Sequence, residues 1–147
     1  MSTYYFLPTR NVFGEGAVNE VGDLMKSLNV SSAMIVTDKF LASSGMADRI
    51  VGILKEAGMD AVVFDGAEPN PTDKNVEAGV DFFNHHTCDS IISLGGGSSH
   101  DCAKGIALVA SNGGRIHDYE GIDKASKDLM PMLAINTTAG TASEITR

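Results

Sequence analysis

Ser90–Gly114 reads SIISLGGGSSHDCAKGIALVASNGG. Five residues, Ser90–Leu94, form a short and mostly apolar run, as a buried strand does. Gly95, Gly96 and Gly97 follow, and from Ser98 the apolar residues fall at helical spacing, with Cys102, Ile106 and Val109 on one face before Asn112–Gly114 ends the pattern. A strand that passes through a glycine turn into a helix is half of a βαβ unit.

The same alternation extends in both directions. AMIVT (33–37), AVVFD (61–65) and PMLAIN (131–136) are further short apolar runs bounded by polar or turn residues. Between them lie amphipathic segments. One places Val18, Val21, Leu24, Met25 and Leu28 on a face. A second places Met46, Ile50, Ile53, Leu54 and Ala57 together and stops at Gly58. A third opens at a candidate N-cap, Thr72, and carries Val76, Val80 and Phe83 inward. Strand and helix alternating with short joints predicts an α/β chain, a Rossmann-like parallel sheet with helices on both faces. Tyr4–Gly14 alternates more loosely, as an edge strand or hairpin. The two prolines around Asn70 make 66–73 a rigid connection.

Ligands of an open parallel sheet sit beyond the carboxyl ends of its strands. Gly95–Gly97 stand at one such end. They let the backbone turn sharply and approach a ligand, and the N–H groups around Ser98, Ser99 and His100 then face an anion, most often phosphate. The dinucleotide fingerprint GxGxxG would need glycine where His100 stands, and the GxxxxGK[ST] loop is absent. A turn serving strand-to-helix geometry alone remains the alternative. At a second strand end, NTTAGTASE (136–144), Thr137, Thr138 and Thr141 can donate to phosphate or ribose. Alternatively this is a solvated loop capped by Thr141 or Ser143. At a third, Asp38 either accepts the hydroxyls of an adenosine ribose or caps a helix. Three such strand ends together favour a dinucleotide.

Composition narrows the partners. The chain has 147 residues, 43% of them hydrophobic, and a net charge of −8, enough for one compact domain. An acidic chain disfavours nucleic acid or an anionic membrane as main partner, yet backbone N–H groups still bind phosphate locally. No apolar run approaches the roughly eighteen residues of a membrane span, and MSTYYFLPTRN (1–11) lacks the features of a secretory signal. Two cysteines outside any CxxC pair fit a reducing cytoplasm.

Other polar residues have plainer readings. Adjacent His85 and His86 point about 100° apart on a helix, which suits a solvated helix end better than a shared metal. His100 in the first helical turn is either a phosphate neighbour or bystander. His117 reads as a surface loop residue. Asp101 and Lys104 share a helix face, as a functional pair or as an exposed ion pair. Cys102 reads as a buried helix residue. No arrangement suggests nucleophilic catalysis, so no catalytic residue and no metal ligand is assigned.

GGGSSHDCAKGIALVASNGG, DYEGID, INTTAGTASEITR, DGAEPNPT and IVTDKF together closely resemble the iron-containing (group III) alcohol dehydrogenases, nearest the bacterial propanediol, methanol and ethanol enzymes. The resemblance implies an NAD(P)-binding domain over residues 1–147, incomplete at its C-terminal end. It places Gly95, Gly96, Gly97 and Ser98 at the pyrophosphate turn, Asp38 and Asn70 near the adenosine, and Thr137 and Thr138 along the cofactor. It also places Asp101 toward the nicotinamide side. Ser99 stands where the family usually has proline. NAD is the expected cofactor and NADP the less favoured one. Fe²⁺ or Zn²⁺ is expected only in a full-length enzyme, held by an Asp and three His of a helical C-terminal domain absent here. The implied function is the nucleotide-binding half of an NAD-dependent, metal-requiring alcohol dehydrogenase, cytoplasmic and homo-oligomeric, acting on a small alcohol or aldehyde and inactive as this piece alone. The alternatives are a glycerol dehydrogenase- or dehydroquinate synthase-like relative, or a stand-alone nucleotide-binding or assembly module.

Overall fold

The structure, a computed structural model, describes residues 15–68, 73–113 and 130–137. Four strands form one parallel sheet: β1 (Ser32–Val36), β2 (Asp60–Phe64), β3 (Ser90–Gly95) and β4 (Met132–Asn136), in the order β2-β1-β3-β4. Each lies within one residue of its expected place. A 3₁₀ turn (Ala17–Glu20) leads into α1 (Val21–Ser27), and α3 (Met46–Glu56), α4 (Asp73–His85) and α5 (Gly97–Asn112) are the other long elements. The helix that Asp38 was expected to cap is short, α2 (Lys39–Ser43), and the sequence did not give its extent. Five residues are too few to show a helical period.

The alternation of β1 and β3 sorts the core into two halves. Met34, Val36 and Ile91 face α4 and α5, meeting Val76, Phe83, Ile106 and Val109. Ala33, Ile35, Ile92 and Leu94 face the other way, against Val21, Met25, Ile50 and Leu54 of α1 and α3. Helices therefore cover both faces, as expected. Burying an Ile, Leu or Val fully contributes roughly 1.5–3 kcal/mol over leaving it exposed, and β1 and β3 supply such residues to both sides. α4 comes close to α5 because Gly79 presents no Cβ to the Ile106 side chain. The apolar face proposed for the first helix narrows in the structure: Val21 and Met25 are buried, while Leu28 and, on α3, Met46 are exposed. α3 ends where expected, with Gly58 at φ 81. Tyr4–Gly14 and the cap Thr72 lie outside the described residues.

The amino edge of the sheet is tied by one carboxylate. Asp89 Oδ2 accepts from the Ser31 amide at 2.9 Å and its hydroxyl at 3.1 Å. Oδ1 accepts from the Ser32 amide at 3.0 Å and from the Ser90 hydroxyl at 3.2 Å. Partial burial alone would raise the pKa of Asp89, but these hydrogen bonds outweigh it and hold the carboxyl below its ordinary value. The lowered pKa in the folded state means that stabilisation is present above the unfolded pKa and is lost as pH falls through the folded one. Asp89→Ala is expected to cost about 1 kcal/mol at neutral pH, allowing for solvent exposure. Thermal melts should show the gap between the two proteins closing as pH drops below about 4; a gap independent of pH would rule out the carboxylate as its source.

Candidate functional site

The chain leaves β1 toward β2 on one side and leaves β3 toward β4 on the other. The helices after these neighbouring strands therefore lie on opposite faces, the topology in which open parallel sheets form a ligand crevice between two strand ends, here the carboxyl ends of β1 and β3. Asp38 stands at the first end and the glycine turn at the second.

β3 is buried along its whole length, so the chain must leave the sheet abruptly. Gly95 makes the exit at φ 140, a conformation that side chains rarely adopt, and a Cβ there would sit 2.6 Å from Ser99 Oγ. The strained glycine is thus Gly95. Gly96 is extended, φ −99 and ψ −158, and serves as the N-cap of α5 without any side-chain cap. The expectation for the N–H groups shifts by one residue. The His100 amide is already bonded to Gly96 O at 3.2 Å, so the amides left over are those of Gly97, Ser98 and Ser99. No cap occupies them among the described residues. Gly96, Gly97 and Ser98 are half-buried and Ser99 is buried, a partly dehydrated place where helix N–H groups attract an anion more strongly than in water.

Thr37 fixes the two ends against each other. It is fully buried, its hydroxyl donates to Leu94 O at 2.9 Å, its amide donates to Phe64 O at 2.9 Å, and its carbonyl accepts from Ala67 N at 3.1 Å. β1, β2 and β3 therefore end at one level. Asp38 comes next, half-buried, its Oδ1 accepting from Leu41 N at 2.7 Å. The helix-cap reading is thus realised through Oδ1, and no described residue bonds Oδ2. Thr137 is exposed at the end of β4, its amide bonded to Gly95 O at 3.0 Å. The structure therefore brings together Asp38, Gly95, Gly96, Gly97, Ser98 and Thr137. Asp101 is exposed on the next turn of α5, and Lys104 is half-buried. Asn70 and Thr138 lie outside the described residues, as do Thr141, Ser143 and His117.

Other polar residues resolve plainly. His100 is not beside the crevice: its ring is buried at 1% exposure between α5 and the sheet, 2.7 Å from both Ser93 Oγ and Asn136 Oδ1. Thr37, Ser93 and Asn136 were not singled out from sequence. The available signal was a serine or threonine in or just after an apolar strand, where burial demands a partner. α4 ends at His85 at the amino edge of the sheet, away from the site, and the ring of His86, the next residue, is tilted against Phe82 with centroids 4.3 Å apart. Burial pushes the Cys102 thiol up to about 11 and also raises that of Cys88, so neither is poised as a nucleophile at neutral pH.

The family model described as iron-containing alcohol dehydrogenase matches residues 8–147. The chain belongs to the iron-containing alcohol dehydrogenase family. It is 49% identical over 144 residues to the NAD-dependent methanol dehydrogenase of Bacillus methanolicus, covering 98% of this chain and 38% of that protein. The crystal structure of a 1,3-propanediol oxidoreductase superposes with a TM-score of 0.93 at 44% identity, over 100% of this chain and 38% of that one. A sulfoacetaldehyde reductase from Bifidobacterium kashiwanohense, solved in complex with NAD⁺, superposes with a TM-score of 0.89 at 32% identity, over 99% of this chain and 39% of that one. The chain thus spans about 38% of the length of its curated family relative. Among the described residues, no group of three or more His, Cys, Asp or Glu side chains is placed to hold a metal, and no helix is long and apolar enough to cross a membrane.

Two glycines of the turn should fail differently. Gly95→Ala introduces strain and a collision with Ser99, and is expected to destabilise the fold by about 1–3 kcal/mol. Gly96→Val, at a φ open to any residue, should weaken cofactor binding with a smaller effect on stability. Thermal melts and titration with NAD on both variants check this; equal losses of stability would contradict it.

Proposed function

We propose that this chain is the cofactor-holding part of an NAD-dependent alcohol dehydrogenase, acting in the cytoplasm on a small alcohol or aldehyde. The observation that carries the reading is one crevice flanked by two complementary groups. Three amides of α5 with no partner among the described residues suit a diphosphate, and a carboxylate at the end of β1 suits the two hydroxyls of a ribose. The NAD⁺ complex of the sulfoacetaldehyde reductase relative supports the choice of dinucleotide. Asn70 and Thr138 are proposed to join the site, with Asn70 beside the adenosine and Thr138 beside Thr137.

The residues present fit such a cofactor. The amides of Gly97, Ser98 and Ser99 would hold the diphosphate, and Gly95, by bringing Ser99 against the strand, sets their direction. Asp38 Oδ2 would accept from the ribose while Oδ1 keeps the cap on Leu41. Thr137 would orient the cofactor from the β4 side, and Asp101 would meet it farther along α5. When bound, the nicotinamide supplies a hydride acceptor, so that an alcohol becomes an aldehyde or ketone and releases one proton. The iron that the family name suggests finds no donor set among the described residues.

In the complete natural protein that carries this chain, short-chain alcohols with NAD should generate NADH absorbance. No turnover with any alcohol, together with no NAD binding by calorimetry, would overturn the reading. Light scattering on the same preparation checks the expected homo-oligomer.

Asp38 should also set cofactor choice. The additional phosphate of NADP would lie on the ribose beside Asp38. Two unit charges about 4 Å apart repel by roughly 4 kcal/mol at an effective dielectric near 20. Solvent and salt reduce this to about 1–3 kcal/mol, or about ten- to a hundredfold in preference. Asp38→Asn keeps an N-cap and removes the charge, so kcat/KM should shift toward NADP. A wild type that prefers NADP, or a ratio unmoved by the substitution, would limit Asp38 to its capping role.

A further inference from the structure

We infer that His100 is a positioning residue: its buried ring sets the distance between the diphosphate-facing amides of α5 and the end of β4. The inference rests on the proposed cofactor reading.

A ring at 1% exposure must satisfy both nitrogens within the protein. Asn136 Oδ1 is an acceptor 2.7 Å from Nε2, so Nε2 carries the proton and donates. Nδ1, 2.7 Å from Ser93 Oγ, then accepts the serine hydroxyl. This tautomer follows from the partners. Ser93 is itself 1% exposed in β3. Asn136 is the last residue of β4 and pairs in register with Gly95, and the next amide, Thr137, donates to Gly95 O. One imidazole therefore joins α5, β3 and β4 at their functional ends.

Apolar contact would hold these elements together as firmly, but without direction. Two opposed hydrogen bonds do not allow α5 to slide along β3, nor β4 to slip against it, without leaving a buried polar atom unpaired. The ring lies one residue beyond the last free amide, Ser99, and its far partner lies one residue before Thr137. A small shift of either end would separate the groups proposed to hold the two sides of the cofactor.

The test compares His100→Leu, His100→Gln and Ser93→Ala in the complete natural protein, reading NAD affinity by calorimetry, KM for NAD, kcat and melting temperature. His100→Leu should weaken NAD affinity and raise its KM by about tenfold, as expected for losing both directed buried bonds, with kcat at saturating NAD little changed. His100→Gln keeps a donor near the Nε2 position and should recover most of the affinity. Ser93→Ala removes only one arm and should show a smaller loss; it decides the matter if the leucine variant does not fold. Lower melting temperatures with wild-type NAD affinity in all three would overturn the inference and leave His100 a structural residue only. A wild-type protein that does not bind NAD would instead overturn the cofactor reading on which it rests.

Discussion

Ser99 packs so closely against Gly95 that no side chain fits between them. From this contact the geometry of the site follows. It makes β3 end in a single residue and turns the chain at once into α5. It leaves Gly96, which has no side chain, to cap the helix, so the first three amides have no partner among the described residues. A serine, aspartate or threonine at the cap would take one of these donors for the protein itself. Local stability is thus given up at the point where an anion can supply it.

Around that contact, buried hydrogen bonds hold the strand ends in place. Thr37 binds the ends of β2 and β3 to β1, and His100 binds β4 to β3 and α5. At the opposite edge Asp89 gathers three serines. Hydrophobic contact fills both faces of the sheet but does not fix register by itself, whereas these directed bonds do. The net charge of −8 does not oppose binding of a diphosphate here, because oriented amides act within a few ångströms and the wider field is screened beyond about 8–10 Å. The acidic surface and the anion-attracting turn therefore coexist.

The sheet was legible because β1 and β3 are buried on both faces and read as continuous apolar runs between polar ends. Strand order was less so, since it depends on which helix crosses which face. α5 was recognisable from Cys102, Ile106 and Val109, with its start displaced by one residue from Ser98 to Gly97. The glycine turn was read as a candidate anion site, yet sequence could not show that, of its three glycines, Gly95 takes the positive φ. Asp38 is informative for a different reason. Its capping and ribose-facing roles seemed to be alternatives, but a carboxylate has two oxygens, and only one is used by Leu41. His100 was the least legible residue: within SSHD it read as a phosphate neighbour or a bystander, and only Ser93, a hydroxyl inside an apolar strand, hinted at a buried partner.

A crystal structure of the complete protein with NAD bound tests the diphosphate cradle most directly. Diphosphate oxygens within about 3 Å of the amides of Gly97, Ser98 and Ser99 are the expected result. A diphosphate held elsewhere, with these three amides facing only water, would contradict it.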